Sequence, residues 1–137
     1  MKVKIIHKRL PAFTLTELLV VLVIIGILVL LALPKLMPLI SKAKSTEAQL
    51  QLGHIQTLEK SFFYLKSKYS NSFEDIGFEA EKLVTEGGPA NYRIEIIEAS
   101  TTGFKARATA VVDFDGDGKF NVWEIDQDKN LIEVTKD

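Results

Sequence analysis

The chain contains no cysteine, so no disulfide can staple its folded part, and thiolate metal sites and thiol nucleophiles are excluded with it. Histidine is nearly as scarce. His7 and His54 are the whole supply, and neither stands beside an acid–nucleophile set. No glycine-rich phosphate cradle occurs, since Glu86-Gly87-Gly88-Pro89 has the composition of a turn, and nothing in the pattern supports catalysis. A basic excess is missing too. The net charge is −1, yet residues 1–12 hold Lys2, Lys4, Lys8 and Arg9 and no acid, so without them it falls to −5. Residues 113–137 set eight acids against Lys119, Lys129 and Lys136. An acidic surface of that kind repels phosphates and disfavours nucleic-acid binding by a single chain. At 137 residues there is room for one modest domain beside a hydrophobic segment.

That segment is the uncharged apolar run of residues 18–33. It is longer than the ~7–15 apolar residues of a secretory signal, and no small-x-small cut site follows it; Pro34-Lys35-Leu36-Met37-Pro38 continues instead. A helix from Phe13 to Leu33 spans roughly 31 Å, about one bilayer core. The basic leader then stays cytoplasmic and the rest of the chain lies outside. A plain single-pass anchor satisfies this much, but it has no use for Glu17. A carboxylate deep in a membrane helix costs about 2.5–3.5 kcal/mol on insertion scales, so Glu17 needs a partner.

The stretch Lys8-Arg9-Leu10-Pro11-Ala12-Phe13-Thr14-Leu15-Thr16-Glu17, with the apolar run behind it and Pro34 closing it, resembles the N-terminus of type IV prepilins and pseudopilins. The likeness covers about residues 8–36. It implies a prepilin peptidase and N-methyltransferase that cuts between Ala12 and Phe13 and methylates the new amine; the family usually has Gly where this chain has Ala12. It also implies an inner-membrane assembly platform and a homopolymer of the chain as partners. Glu17 becomes the fifth residue after cleavage, one turn from the amine of Phe13. Opposite charges attract strongly at low dielectric, so Glu17 can pair with that amine on its own or a neighbouring chain. In the family this pairing helps set axial register. Pro34 lacks an N–H and is expected to kink or loosen the helix near Leu30.

After Pro38 the pattern turns amphipathic. Ile55, Leu58, Phe62, Leu65 and Tyr69 recur at spacings of three and four, which stripes one helix face. The helix is expected from about Thr14 to Ser67, on the order of 80 Å. Residues 69–91 read as loop with a short helical turn near residues 79–84. Strands follow at about residues 92–99, 104–112, 120–126 and 131–134, with turns between. The expected fold is α+β: a long N-terminal helix, transmembrane in its first half and amphipathic in its second, packed on a small antiparallel β-meander in the pilin manner. The segments are a leader (1–12), an assembly helix (13–36), its amphipathic half (37–68), a connecting loop (69–91) and the sheet with its acidic loop (92–137).

Residues 113–124, Asp-Phe-Asp-Gly-Asp-Gly-Lys-Phe-Asn-Val-Trp-Glu, match the twelve-position calcium loop at every defined position. Asp113, Asp115 and Asp117 supply carboxylates, Lys119 a backbone carbonyl, Asn121 a side-chain or water-mediated contact and Glu124 two oxygens. All-oxygen ligation favours one Ca²⁺. The flanks read as strands rather than helices, and strand geometry can carry Glu124 away, leaving Asp126 or Asp128 as substitutes. A solvated Asp/Gly hairpin is the alternative. Major pseudopilins, which the chain resembles in lacking a disulfide, hold calcium near the C-terminus.

The expected function is a structural subunit of a type IV filament, located first in the bacterial inner membrane with its C-terminus outside the cytoplasm and then in an extracellular pilus. A major pseudopilin of a type II secretion system, in a periplasmic pseudopilus, is the alternative. A membrane-anchored binding module that never polymerises is a third reading.

Overall fold

The computed structural model describes residues 11–137; the leader's Lys2, Lys4, Lys8 and Arg9, and His7, lie outside the described residues. Helix α1 (Leu15–Lys66) is followed by a single-turn helix α2 (Phe73–Ile76), a 3-10 turn (Val84–Glu86), and strands β1 (Tyr92–Ala99), β2 (Phe104–Ala110), β3 (Val122–Asp126) and β4 (Leu131–Thr135). The chain divides into two compact units, Met1–Lys35 and Leu36–Asp137.

In the first unit the apolar side chains of residues 18–31 are between 47% and 72% exposed, so the unit buries none of them against itself. An 18-residue window of α1 has a mean hydropathy of 3.0, which makes it long and apolar enough to cross a membrane. The helix continues without interruption past Pro34 and Pro38, each of which removes one backbone donor.

The second unit packs the outer part of α1 on a four-stranded antiparallel sheet in the order β1-β2-β3-β4. Strand β2 pairs with β1 from Tyr92↔Ala110 to Ala99↔Phe104 and with β3 from Thr109↔Val122 to Lys105↔Asp126. Its alternation sends Phe104, Ala106, Ala108 and Ala110 inward, where the small alanines let Ala48, Leu52 and Ile55 of α1 approach. The core is completed by Ile76, Phe78, Tyr92, Ile94 and Ile125.

The buried stripe of α1 is broader in chemistry than its apolar spacing predicts. Ser41, Ser45, Ala48, Leu52, Ile55, Gln56 and Glu59 lie buried, whereas Leu65 is 80% exposed. The helix ends one residue later, at Lys66, and Ser67 (φ 55°) turns the chain away, so Leu65 has no sheet to face. Leu58, Phe62 and Tyr69 do pack against the core. Glu59 is wholly buried: its Oε2 accepts the Ser70 N–H at 3.0 Å, and its Oε1 has no partner among the described residues. A helical turn stands at residues 73–76, closed by Gly77 (φ 69°) in the left-handed conformation, and the 3-10 turn at Val84–Glu86 meets only the end of the turn expected near residues 79–84. Strands β2 and β3 are shorter than expected at the end facing the acidic loop. There the Val111 N–H bonds the Asn91 carbonyl, and within the loop itself aspartates take the N–H groups of residues 116–119.

Candidate functional site

Two places carry chemistry, one in each unit. In the second, the β2–β3 connection brings Asp113, Asp115 and Asp117 together with Asp137, each offering a carboxylate oxygen within 4.8 Å of the others. Turns at Gly116 (φ 81°) and Gly118 (φ 85°) fold the loop tightly, a conformation that favours glycine. Asp113 accepts the N–H groups of Gly116 at 2.7 Å and Gly118 at 2.8 Å. Asp137 reaches across from beyond β4 to accept those of Phe114 at 3.0 Å and Asp115 at 3.2 Å. The exposed carboxyl of Asp115 is bonded by the Asp117 N–H, which lowers its pKa; local desolvation, the charge of Asp117, and the hydrogen bond and charge of Asp137 outweigh this and hold it above the usual value. Asp117 is held below it by the backbone N–H and then the ammonium of Lys119, whose Nζ lies 3.1 Å away. Four carboxylates converging with all-oxygen donors fit a hard divalent cation.

The rest of the expected calcium loop lies elsewhere. Glu124 Oε1 accepts Arg107 Nε at 2.8 Å and Nη2 at 2.6 Å on the outer face of the sheet. Arg107 and Glu124 are register partners in β2 and β3, so the strand carries Glu124 away from the loop, as an exit helix would not. Asn121 is buried. Its Oδ1 accepts the Tyr92 hydroxyl at 2.8 Å, and its Nδ2 donates to Glu133 at 2.8 Å and to the Thr135 carbonyl at 3.0 Å, which ties β1 and β4 to the residue just before β3. Burial, then the charges of Glu47, Asp137 and Glu133, push the Tyr92 phenol well above its ordinary pKa, so it remains a donor. Lys119 brings its N–H and Nζ to Asp117. Asp126 and Asp128 sit at the β3–β4 turn, where Asp126 binds Asn130 and the Asp128 N–H. Asp137 lies thirteen residues past Glu124, the last position of the loop, and so outside the motif. The signal for it was the hairpin itself: antiparallel β4 pairs Thr135 with Val122 and returns the chain to the loop.

In the first unit, Ala12 and Phe13 precede α1 in non-helical, exposed chain, with Phe13 86% exposed. Glu17 Oε2 accepts the Thr14 backbone N–H at 2.7 Å and the Thr14 hydroxyl at 2.9 Å, while Thr14 Oγ1 accepts the Glu17 N–H at 3.2 Å. This is a reciprocal capping box of the T-x-x-E type, satisfying donors that a helix start leaves open. The signal for it in the sequence is the T-x-x-E spacing of Thr14-Leu15-Thr16-Glu17. Among the described residues Oε1 of Glu17 accepts no hydrogen bond, so one carboxylate oxygen is engaged and one is open.

A family model described as the prokaryotic N-terminal methylation motif matches residues 11–33. The type IV major pilin protein PilA of Myxococcus xanthus (strain DK1622) is 37% identical over 94 residues, which are 69% of this chain. This chain is a homologue of a type IV major pilin. The matched stretch is 41% of the relative's length, so the chain spans well under two thirds of the pilin it matches. In this pilin homologue the methylation motif takes in Ala12, Phe13, Thr14 and Glu17 and runs through the exposed apolar part of α1, and the fold behind it is the pilin-like α+β arrangement of helix on meander.

Proposed function

We propose that the chain is a structural, non-catalytic subunit of a type IV pilus, polymerised through the first part of α1 after removal of its leader. The observation that carries this is the apolar surface of residues 18–31, exposed on all sides, with a single carboxylate at its start. Such a surface must be covered by lipid before assembly and by copies of itself afterwards. Cleavage between Ala12 and Phe13 by a prepilin peptidase is supported by the non-helical, exposed chain there. The freed amine, methylated, is the partner for the open oxygen of Glu17, and Thr14 holds the other. The extracellular pilus is preferred to the periplasmic pseudopilus because the similar protein is a major pilin. The membrane stage is the bacterial inner membrane, with the sheet outside the cytoplasm and an assembly platform receiving the subunit.

Glu17→Val tests the reading. Val removes the insertion cost, so the subunit is expected in the membrane at normal levels while electron microscopy finds few or no filaments. Filaments of normal number and length would overturn it. The cluster of Asp113, Asp115, Asp117 and Asp137 is the proposed Ca²⁺ site, a metal clip joining the loop to the chain after β4 in place of a disulfide.

A further inference from the structure

We propose that a groove between the end of α1 and the β3–β4 turn receives the acidic loop of a second copy of this chain, so that neighbouring sheets meet head to tail. The inference rests on the filament reading above and deepens it.

The groove has a volume of about 520 Å³, and Lys60, Tyr64 and Lys129 line it together with Asp128. Lys60 and Lys129 are exposed and make no ion pair among the described residues. Asp128 accepts the Gln127 amide at 2.9 Å, so the groove offers two cations against one anion. Tyr64, a large amphipathic side chain, is 75% exposed.

The matching charge sits at the other end of the same sheet. In the β2–β3 pair, Lys105↔Asp126 lies at the groove end and Thr109↔Val122 at the end carrying Asp113, Asp115 and Asp117. The five residues of β3 separate the two patches by roughly 17 Å. One chain therefore cannot bring its own acidic loop to its own groove. Two different, complementary patches at opposite ends make a heterologous contact, which builds an open helix instead of a closed pair. A divalent ion bound among the four carboxylates leaves that end negative, so metal loading and docking are compatible. Exposed ion pairs of this kind set orientation and register, while cohesion comes from the apolar part of α1.

The chain has no cysteine, so engineered pairs are free of background. Filaments of the full chain carrying both Lys60→Cys and Asp115→Cys, treated with a short bis-maleimide, are expected to give a ladder of dimers, trimers and longer products. Each single variant should stay monomeric, and filaments mixed from the two single variants should stop at dimers. As a second measurement, Lys60→Glu with Lys129→Glu should cut filament yield at least fivefold, while Lys60→Arg with Lys129→Arg should keep it. Filaments without a ladder, or dimers from a single variant, would overturn the groove contact and leave the filament reading standing. If the cysteine variants do not assemble, the charge reversals decide, and normal yield from the lysine reversals sinks the proposal. A parent chain that forms no filaments at all would remove both readings.

Discussion

Replacing Glu59 by Gln perturbs one atom of a fully buried carboxylate. Its Oε2 accepts the Ser70 N–H, its Oε1 has no partner among the described residues, and Asp75 stands behind the Ser70 hydroxyl at 2.7 Å. Burial is the leading cause that raises its pKa above 4.5; the Ser70 N–H opposes this, and the charge of Asp75 adds to it. The folded chain thus holds the Glu59 proton to higher pH than the unfolded chain does. The stability that Glu59 contributes is full below the ordinary glutamate value and is lost as pH rises through the folded value. An unsatisfied buried polar atom costs about 1–3 kcal/mol, and more when charged. Gln keeps the acceptor for Ser70 and can never ionise, so Glu59→Gln should stabilise the second unit by about 1–2 kcal/mol at pH 8 and by about zero at pH 4. At about 4–8 °C per kcal/mol for a domain of this size, the melting temperature should rise by roughly 4–16 °C at pH 8. Near-UV circular dichroism of the full chain in detergent micelles, melted at pH 4, 6 and 8, reads this out. Parallel curves for parent and variant across the range, or a variant less stable at pH 8, would refute the argument.

The mature subunit from native cells is expected to begin at Phe13 with a methylated amine, and an intact mass retaining residues 1–12 would contradict the processing reading. Calcium should raise the melting temperature of the parent and of Glu124→Gln but not of Asp137→Asn; the reverse pattern would return Glu124 to the site. At a hundredfold excess over Kd the gain is about 2.7 kcal/mol, and equal melting in calcium and in chelator would leave the loop an acidic turn. Tyr92→Phe strands Asn121 Oδ1 and should cost about 1–3 kcal/mol of unfolding free energy by denaturant titration, while loss below ~0.5 kcal/mol would mean that water replaces the hydroxyl.

The apolar segment, the helix behind it and the four strands were legible because each rests on local order. These are an unbroken apolar run, spacings of three and four, alternation in residues 92–99, and Ser, Gly or Asn between strands. Phe13, Glu17 and the methylation motif are contiguous in sequence, so their pattern survives without a fold. What local pattern could not supply was which atoms meet. The polar side of the buried helix stripe, Ser41, Gln56 and Glu59, shows no apolar signal, because burial there follows from where the sheet lands. The twelve-residue loop fits a calcium motif letter by letter, yet the motif assumes a helix at its exit. A strand in that place turns Glu124 toward Arg107, and the returning hairpin brings Asp137 in its stead. Sequence set the kind of donor, an acidic oxygen. Strand pairing, which joins residues far apart in the chain, such as Arg107 with Glu124 and Val122 with Thr135, decided which acids arrive.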